Sequence, residues 1–322
     1  MKVPVMKSAA QTVKGQAGGK LILIGEHAVV YGQPAIAVPF NCLKVTAEIL
    51  PTDGPLSIDC RFYSGPVQDA PDLLKGIVQC AEETIRKLDG EPFGIMIRLT
   101  SDLPLGRGLG SSAAVACAIV RGLYRYFGKV TTHDALMDLV NISEVFAHGT
   151  PSGLDAEAVA SEHAIWFRKG EKPMPIPVAA PMTLVVADSG LKGDTFEAVK
   201  SVKTRLQSAP EKMHQSFSRL GELAEEARRA LIDGAIEPLG RIFNEAQDEL
   251  ANIGVSHVKL DHLIKAAREA GALGAKLTGS GKGGCLFALA RDVLEAKKIR
   301  AALLEAGACD AWLFTIRKDM LR

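Results

Sequence analysis

Excess charge of either sign is missing from this sequence. Lys and Arg number 38 against 37 Asp and Glu, a net charge of +1. That balance argues against a nucleic-acid partner, which would call for a basic surface. Small anions stay open, because a few local groups suffice to bind them. Clustered cysteines are missing too. The six cysteines, at 42, 60, 80, 117, 285 and 309, form no CxxC and no Cys/His cluster, so a zinc site is not expected. Scattered in this way they read as buried thiols of a reducing compartment. No apolar run approaches the roughly 20 residues of a membrane span. The N-terminal stretch MKVPVMKSAAQTVKGQAGG has no apolar h-region of a signal peptide. The expectation is a soluble, cytoplasmic protein with no membrane partner.

The commonest nucleotide-binding signatures are also absent. The P-loop pattern GxxxxGK[ST] fails, because Gly19-Lys20 is followed by Leu21. Neither HRD nor DFG occurs, so the protein-kinase set is not there. The run GSGKGG from Gly279 fits GxGxxG, but a Rossmann site needs a helix after it and CLFALA reads as a strand.

What is present fits an ordinary globular balance: 322 residues, 47% hydrophobic and 23% charged, long enough for two domains. KLILIGEHAVVYG, from Lys20, reads as a strand entering a turn, and AIAVPF and LKVTAEIL extend a β-rich start. Helical spacing covers 72–89, 111–127 and 132–148. HAIWF and MTLVVADSG read as strands. From about 194 to 252 the pattern is helical with a break near Gly234, and a helix follows at 258–270. LGAKLTGSGKGGCLFALA reads as two strands joined by a glycine loop, then a helix over 292–306 and the strand CDAWLFTI. The shift from β-rich to helix-rich composition puts a domain boundary near residues 170–190.

Chemistry concentrates in three places. PLGRGLGSSAA, residues 104–114, precedes a helix that starts at Ser111 or Ser112. A helix N-terminus offers free N–H groups and a partial positive charge. Glycines before it let phosphate oxygens approach without a Cβ in the way. The bland alternative is a glycine turn with a Ser N-cap. Second, Glu144 closes one helix and Asp155 opens another, across the Gly149-Thr150-Pro151 turn. A carboxylate is a hard ligand for Mg²⁺, and a second one can orient or deprotonate a hydroxyl. A solvated Glu144 and a capping Asp155 are the competing readings. Third, Lys20 starts the first strand, with Glu26 and His27 at its end. A lysine beside a carboxylate can neutralise developing phosphate charge, or simply be a solvated strand end.

In order, GKLILIGEHAVVYG, PLGRGLGSSAA and LTGSGKGGC resemble the three signature motifs of the GHMP small-molecule kinases. The resemblance runs from Lys20 to about Leu286. Within that family GEHAVVYG, HGTPSGLDA and IGVSHVKLDHL look most like the mevalonate kinase branch. Thr150 stands where asparagine is usual. The third motif is usually close to GAGGGGC, so Lys282 is a departure, directed either to solvent or to the phosphates.

The resemblance implies an α+β, two-domain fold. Residues 1–180 would form an ATP-binding domain like ribosomal protein S5 domain 2, and 181–322 a ferredoxin-like C-terminal domain. It implies ATP and Mg²⁺ as cofactors, mevalonate as substrate and its primary hydroxyl as acceptor. A homodimer is compatible with it. Asp155 and Lys20 match the catalytic pair. Ser101, Pro104, Gly106, Arg107, Gly108, Leu109, Gly110, Ser111 and Ser112 match the ATP-phosphate site, with Gly279, Gly281 and Gly283 from the third motif. Ser112 and Glu144 match the magnesium ligands. Lys20, Glu26, His27, Asp155 and Thr195 match the acceptor end. Phosphomevalonate kinase is the alternative within the family, and a diphosphomevalonate decarboxylase fits GEHAVVYG poorly. A non-catalytic sensor on this fold would be expected to lose Lys20 or Asp155.

Overall fold

The computed structural model describes residues 12–149, 151–193 and 195–318, without the side chains of Ala147, His148 and Phe196. Residues 1–11, Thr150 of HGTPSGLDA and Asp194 of GDTFEAV lie outside the described residues. The chain divides into two compact units. One is drawn from Met1–Gly18, Leu43–Leu103 and Ser112–Pro151, the other from Gly19–Cys42, Pro104–Ser111 and Ser152–Arg322. Strand β1 (Val13–Ile24) passes from the first unit into the second, and β2 (Ala35–Pro55) passes from the second into the first. The strand expected to begin at Lys20 thus begins seven residues earlier, and Lys20 lies inside it.

In the first unit the later half of β2 alternates, with Val45, Ala47 and Ile49 on the buried face. Next come β3 (Ser57–Cys60), β4 (Tyr63–Pro66), helix α1 (Lys75–Lys87) and β5 (Phe93–Ser101). β5 runs antiparallel to β2, with Ile49 opposite Ile97, and parallel to β3. The parallel pair requires a long crossover, which α1 supplies. Helix α2 (Ser111–Tyr126) is alanine-rich and buried along most of its length. Its small residues admit the β1 backbone: a Cβ on Gly15 would lie 2.0 Å from the Ala118 carbonyl oxygen. Helix α3 (His133–His148) is capped by Thr132, whose hydroxyl accepts from Ala135 N–H, and stops at Gly149 with φ +70°.

The second unit continues with α4 (Leu154–Ala160), β6 (Ala164–Phe167), β7 (Met174–Ile176) and β8 (Met182–Asp188). β6 pairs with residues 35–37 of β2 and with β7. Four helices follow: α5 (Thr195–Ser208), α6 (Pro210–Asp233), α7 (Ile236–Asn252) and α8 (Val258–Glu269). The predicted break at Gly234 is present, and a second one at Ala209 comes from Pro210, which opens α6. Then come β9 (Gly274–Leu277), β10 (Cys285–Ala290), α9 (Val293–Glu305) and β11 (Asp310–Ile316). The four strands order as β11-β8-β10-β9, all antiparallel. Numbered from β8 this is 4-1-3-2, the split βαββαβ arrangement, with four helices filling the first crossover.

Helix α7 crosses β9 at very short range. A Cβ on Gly274 would lie 2.0 Å from the Gly240 carbonyl oxygen, and one on Gly240 would lie 2.6 Å from that of Leu273. Two effects then oppose each other in Gly240→Ala. Helix propensity favours alanine by about 1 kcal/mol. Overpacking against backbone, which cannot rotate away, costs about 1–3 kcal/mol. We expect the clash to win, so that urea denaturation gives a lower unfolding free energy with an unchanged m-value. A more stable variant would show that α7 moves off β9 freely.

Candidate active site

β1 is buried without alternation from Ala17 to Ile24, and Lys20 is carried inside with it at 1% exposure. An ammonium there needs a counter-charge. Lys20 Nζ lies 2.9 Å from Asp155 Oδ1, with the Lys side chain 2% and the Asp side chain 34% exposed. The solvated-strand-end reading of Lys20 is therefore wrong. Asp155 sits in the first turn of α4. That helix is seated on a core cluster through Leu154 and Ala158, with Ile22, Val29, Ala35, Ala37, Ile165 and Phe167. One carboxylate oxygen is pinned by Lys20, and a third of the side chain faces outward.

The PLGRGLGS loop lies against this lysine. Lys20 N–H donates to Leu109 O at 2.9 Å. A Cβ on Gly110 would stand 2.8 Å from Lys20 Cγ, and its φ of +72° itself favours glycine. The two glycine loops also meet each other. A Cβ on Gly108 would lie 3.0 Å from Thr278 O, and one on Gly279 would lie 2.8 Å from Gly108 Cα. Cys285 N–H donates to Arg107 O, and Gly193 N–H to Gly106 O. Arg107 is tied down by Asp188 Oδ2 at 3.1 Å and by the Gly190 carbonyl at 3.0 Å. Part of the glycine content thus serves loop-on-loop packing. Gly106, with φ +66°, is different: the atoms a Cβ there would meet first, at 3.0 Å, belong to the flexible Lys192 side chain. In the third motif, a Cβ on Gly281 would lie 2.0 Å from Val255 O, and one on Gly283 would lie 2.9 Å from Lys192 O. Lys282 takes φ +60°, donates its N–H to Val255 O, and is half-buried.

β9 clips onto the turn after β1. Lys276 is 0% exposed and Glu26 1% exposed, and Lys276 Nζ donates to Glu26 Oε1 and, at 2.7 Å, to Leu277 O. Two residues on, the Thr278 hydroxyl donates to Ile22 O at 3.1 Å and accepts from Ile22 N–H at 3.0 Å. His27 Nε2 donates to Ser280 O at 2.9 Å. Burial pushes Glu26 above its ordinary value against the pull of Lys276, and pushes Lys276 below its own against the pull of Glu26. Sequence reading missed Lys276, Thr278 and Gln247, whose amide oxygen accepts from Leu277 N–H at 2.9 Å. Only Lys276, a charge inside the apolar run LGAKL, carried a visible signal.

The first unit holds Ser101, Ser112 and Glu144. The Ser101 hydroxyl is engaged in a local turn with the backbone of Leu103. Ser112 lies in the first turn of α2, half-buried. Glu144, on α3, is 3% exposed, which overturns its reading as solvated surface. A serine hydroxyl and a carboxylate are hard oxygen donors of the kind Mg²⁺ takes together with phosphates and water, so these residue types fit the ion. Among the described residues no group of three or more His, Cys, Asp and Glu is placed to hold a metal on its own. Thr195 opens α5 and is exposed. Two surface grooves of about 300 and 720 Å³ lie along α6, and none of the predicted site residues lines them.

His27 yields a pH test. Burial lowers its pKa from the ordinary value, while the Ser280 carbonyl opposes the shift. The folded chain therefore resists protonation there more than the unfolded chain does, and stability falls as pH drops below the unfolded value of about 6.5. His27 has φ +59° and ψ −49°, and Asn, like His, is among the non-glycine residues found most often at positive φ. His27→Asn is expected to lose less thermal midpoint than the wild type between about pH 7.5 and about pH 5.5. Equal losses would show that another group sets the acid limb.

Known proteins show the family to which the chain belongs. The family model for the GHMP kinases N terminal domain matches residues 73–162, and that for the GHMP kinases C terminal matches residues 215–309. The mevalonate kinase of Thermococcus gammatolerans is 33% identical over 332 residues, covering 96% of this chain and 98% of that protein. Among solved structures, L. major mevalonate kinase in complex with R-mevalonate is similar at TM-score 0.83 and 28% identity, covering 99% of each chain. Mevalonate kinase from methicillin-resistant Staphylococcus aureus gives TM-score 0.70 and 35% identity, over 94% of this chain and 98% of that one. With both family models matched and a relative this similar over nearly its whole length, the chain belongs to the GHMP kinases, ATP-dependent small-molecule kinases of two-domain, mixed α/β fold.

Proposed function

We propose that this protein is a mevalonate kinase, transferring the γ-phosphoryl group of ATP to the primary hydroxyl of mevalonate. The observation that carries the reading is the buried Lys20 ammonium held 2.9 Å from Asp155 beside the PLGRGLGS loop. The relatives' names support the choice of acceptor. In the proposed reaction the hydroxyl oxygen bonds to the γ-phosphorus, the bond to the ADP oxygen breaks, and the hydroxyl proton passes to Asp155. Such transfers are driven by positioning and charge neutralisation more than by covalent help. Lys20 fixes one Asp155 carboxylate oxygen in place and adds positive charge at the reacting end. The run from Pro104 to Ser112, with Ser101 and Gly279, Gly281 and Gly283, is assigned to the phosphates of ATP. Ser112 and Glu144 are assigned to Mg²⁺, which when bound neutralises charge on the phosphate oxygens. Glu26, His27 and Thr195 are assigned to the acceptor end. Residues 1–180 and 181–322 are the proposed functional halves. A cytoplasmic setting is consistent with six free cysteines and with the absence, among the described residues, of any helix long and apolar enough to cross a membrane. A homodimer is compatible with this assignment.

An ADP-release assay with ATP and Mg²⁺ against mevalonate, phosphomevalonate, galactose and homoserine tests the acceptor. Mevalonate should be preferred, and faster turnover of phosphomevalonate would replace this reading with the alternative one. Asp155→Asn should lower kcat by about 10²-fold or more while leaving ATP binding largely intact. Near-normal kcat in that variant removes Asp155 from the chemistry.

A further inference from the structure

Lys276 is a buried charge that the proposed chemistry does not use. It lies in β9 between the buried residues Ala275 and Leu277, at 0% exposure. Everything around its ammonium is accounted for. It donates to Glu26 Oε1 and to Leu277 O, and it stands 5.2 Å from the centre of the Phe287 ring. Glu26 is not so well satisfied. Its second oxygen, Oε2, is buried and has no hydrogen-bond partner among the described residues. The cations whose charge reaches Glu26 are Lys276 and Lys20, and Lys20 also acts on Lys276. Lys20 in turn holds Asp155. The four groups therefore alternate in sign: Lys276, Glu26, Lys20, Asp155. Removing its own partner leaves such a carboxylate an uncompensated buried charge, and Lys20 is the other cation whose field reaches it.

We propose that Lys276 is a positioning residue for Lys20: by holding Glu26 through Oε1 it keeps that carboxylate from capturing the Lys20 ammonium, which stays paired with Asp155. The β9 clip makes this a fixed arrangement, since Thr278 ties Ile22, two residues from Lys20, by both its N–H and its C=O. The inference rests on the reading that Lys20 and Asp155 carry the chemistry.

A double-mutant cycle tests it, with Lys276→Met, Glu26→Gln and the pair combined. Lys276→Met keeps the length of the side chain and removes its charge, leaving Glu26 to turn to Lys20. Its kcat is expected to fall by about tenfold or more, with the KM for ATP within about twofold of wild type. Adding Glu26→Gln removes the competing charge while keeping the shape of the side chain at the acceptor end, and kcat is expected to recover by about fivefold or more over Lys276→Met alone, whatever KM for the acceptor does. A purely structural Lys276 gives no such rescue, and its losses in kcat follow the thermal midpoint; either result overturns the proposal. A crystal structure of Lys276→Met provides a readout independent of turnover. Lys20 Nζ is expected at Glu26 and away from Asp155, and an unchanged Lys20–Asp155 pair overturns the idea. A wild type that phosphorylates no acceptor defeats the functional reading, and the crystal structure then still decides the fate of the pair.

Discussion

A lysine ammonium withdrawn from water organises the second unit. Lys20 is inside because β1 is buried on both faces along its later half, and the charge is tolerable only because Asp155 meets it. That requirement fixes other parts in turn. Helix α4 must hold Asp155 at the right height, and its Leu154 and Ala158 anchor it in an aliphatic core. Residue 110 must lack a side chain, because Lys20 crosses the space a Cβ would fill. The Leu109 carbonyl is bound to the Lys20 amide, so the glycine loop and the charged strand are registered against each other.

A second buried pair, Glu26 with Lys276, sits on the same turn. Removing one member of such a pair costs about 3–5 kcal/mol, whereas replacing both by apolar residues is often nearly neutral. Stability alone therefore does not require the pair. Its value lies in where it leaves the charges: Glu26 is occupied and Lys20 is free to face Asp155. Thr278 and Ser280 add neutral hydrogen bonds to the same stretch, so strand β9 and the loop after it grip the chain at Ile22, Glu26 and His27.

Much of the fold could be read from periodicity and punctuation. The helix at 111–126 announced itself through Ser111 and its alanines, and α3 through Thr132 and Gly149, because caps and stops act locally. The strand pair around GSGKGG was legible for the same reason. The start of β1 was not: VKGQAGG has too little side chain to signal a strand, and its Gly15 is there to lie on α2. The site was legible as a set of motifs, but not as a set of partners. Lys20 and Asp155 were both visible in the sequence, yet only the fold brings them to 2.9 Å. The charge of Lys276 showed within LGAKL, but its partner, and those of Thr278 and Gln247, stayed hidden because they lie some thirty to more than two hundred residues away along the chain, beyond the reach of any local pattern.

The contact of Gly108 with Gly279 has a bearing on how such an enzyme can be altered. Each residue occupies the space that the other's missing methyl would need. The loops are 171 positions apart in sequence but behave as one heritable part, since neither tolerates bulk unless its counterpart retreats. Chimeras that borrow the first glycine loop from a distant relative should inherit the second along with it, and laboratory evolution of nucleotide preference should find its gains in paired exchanges rather than single ones.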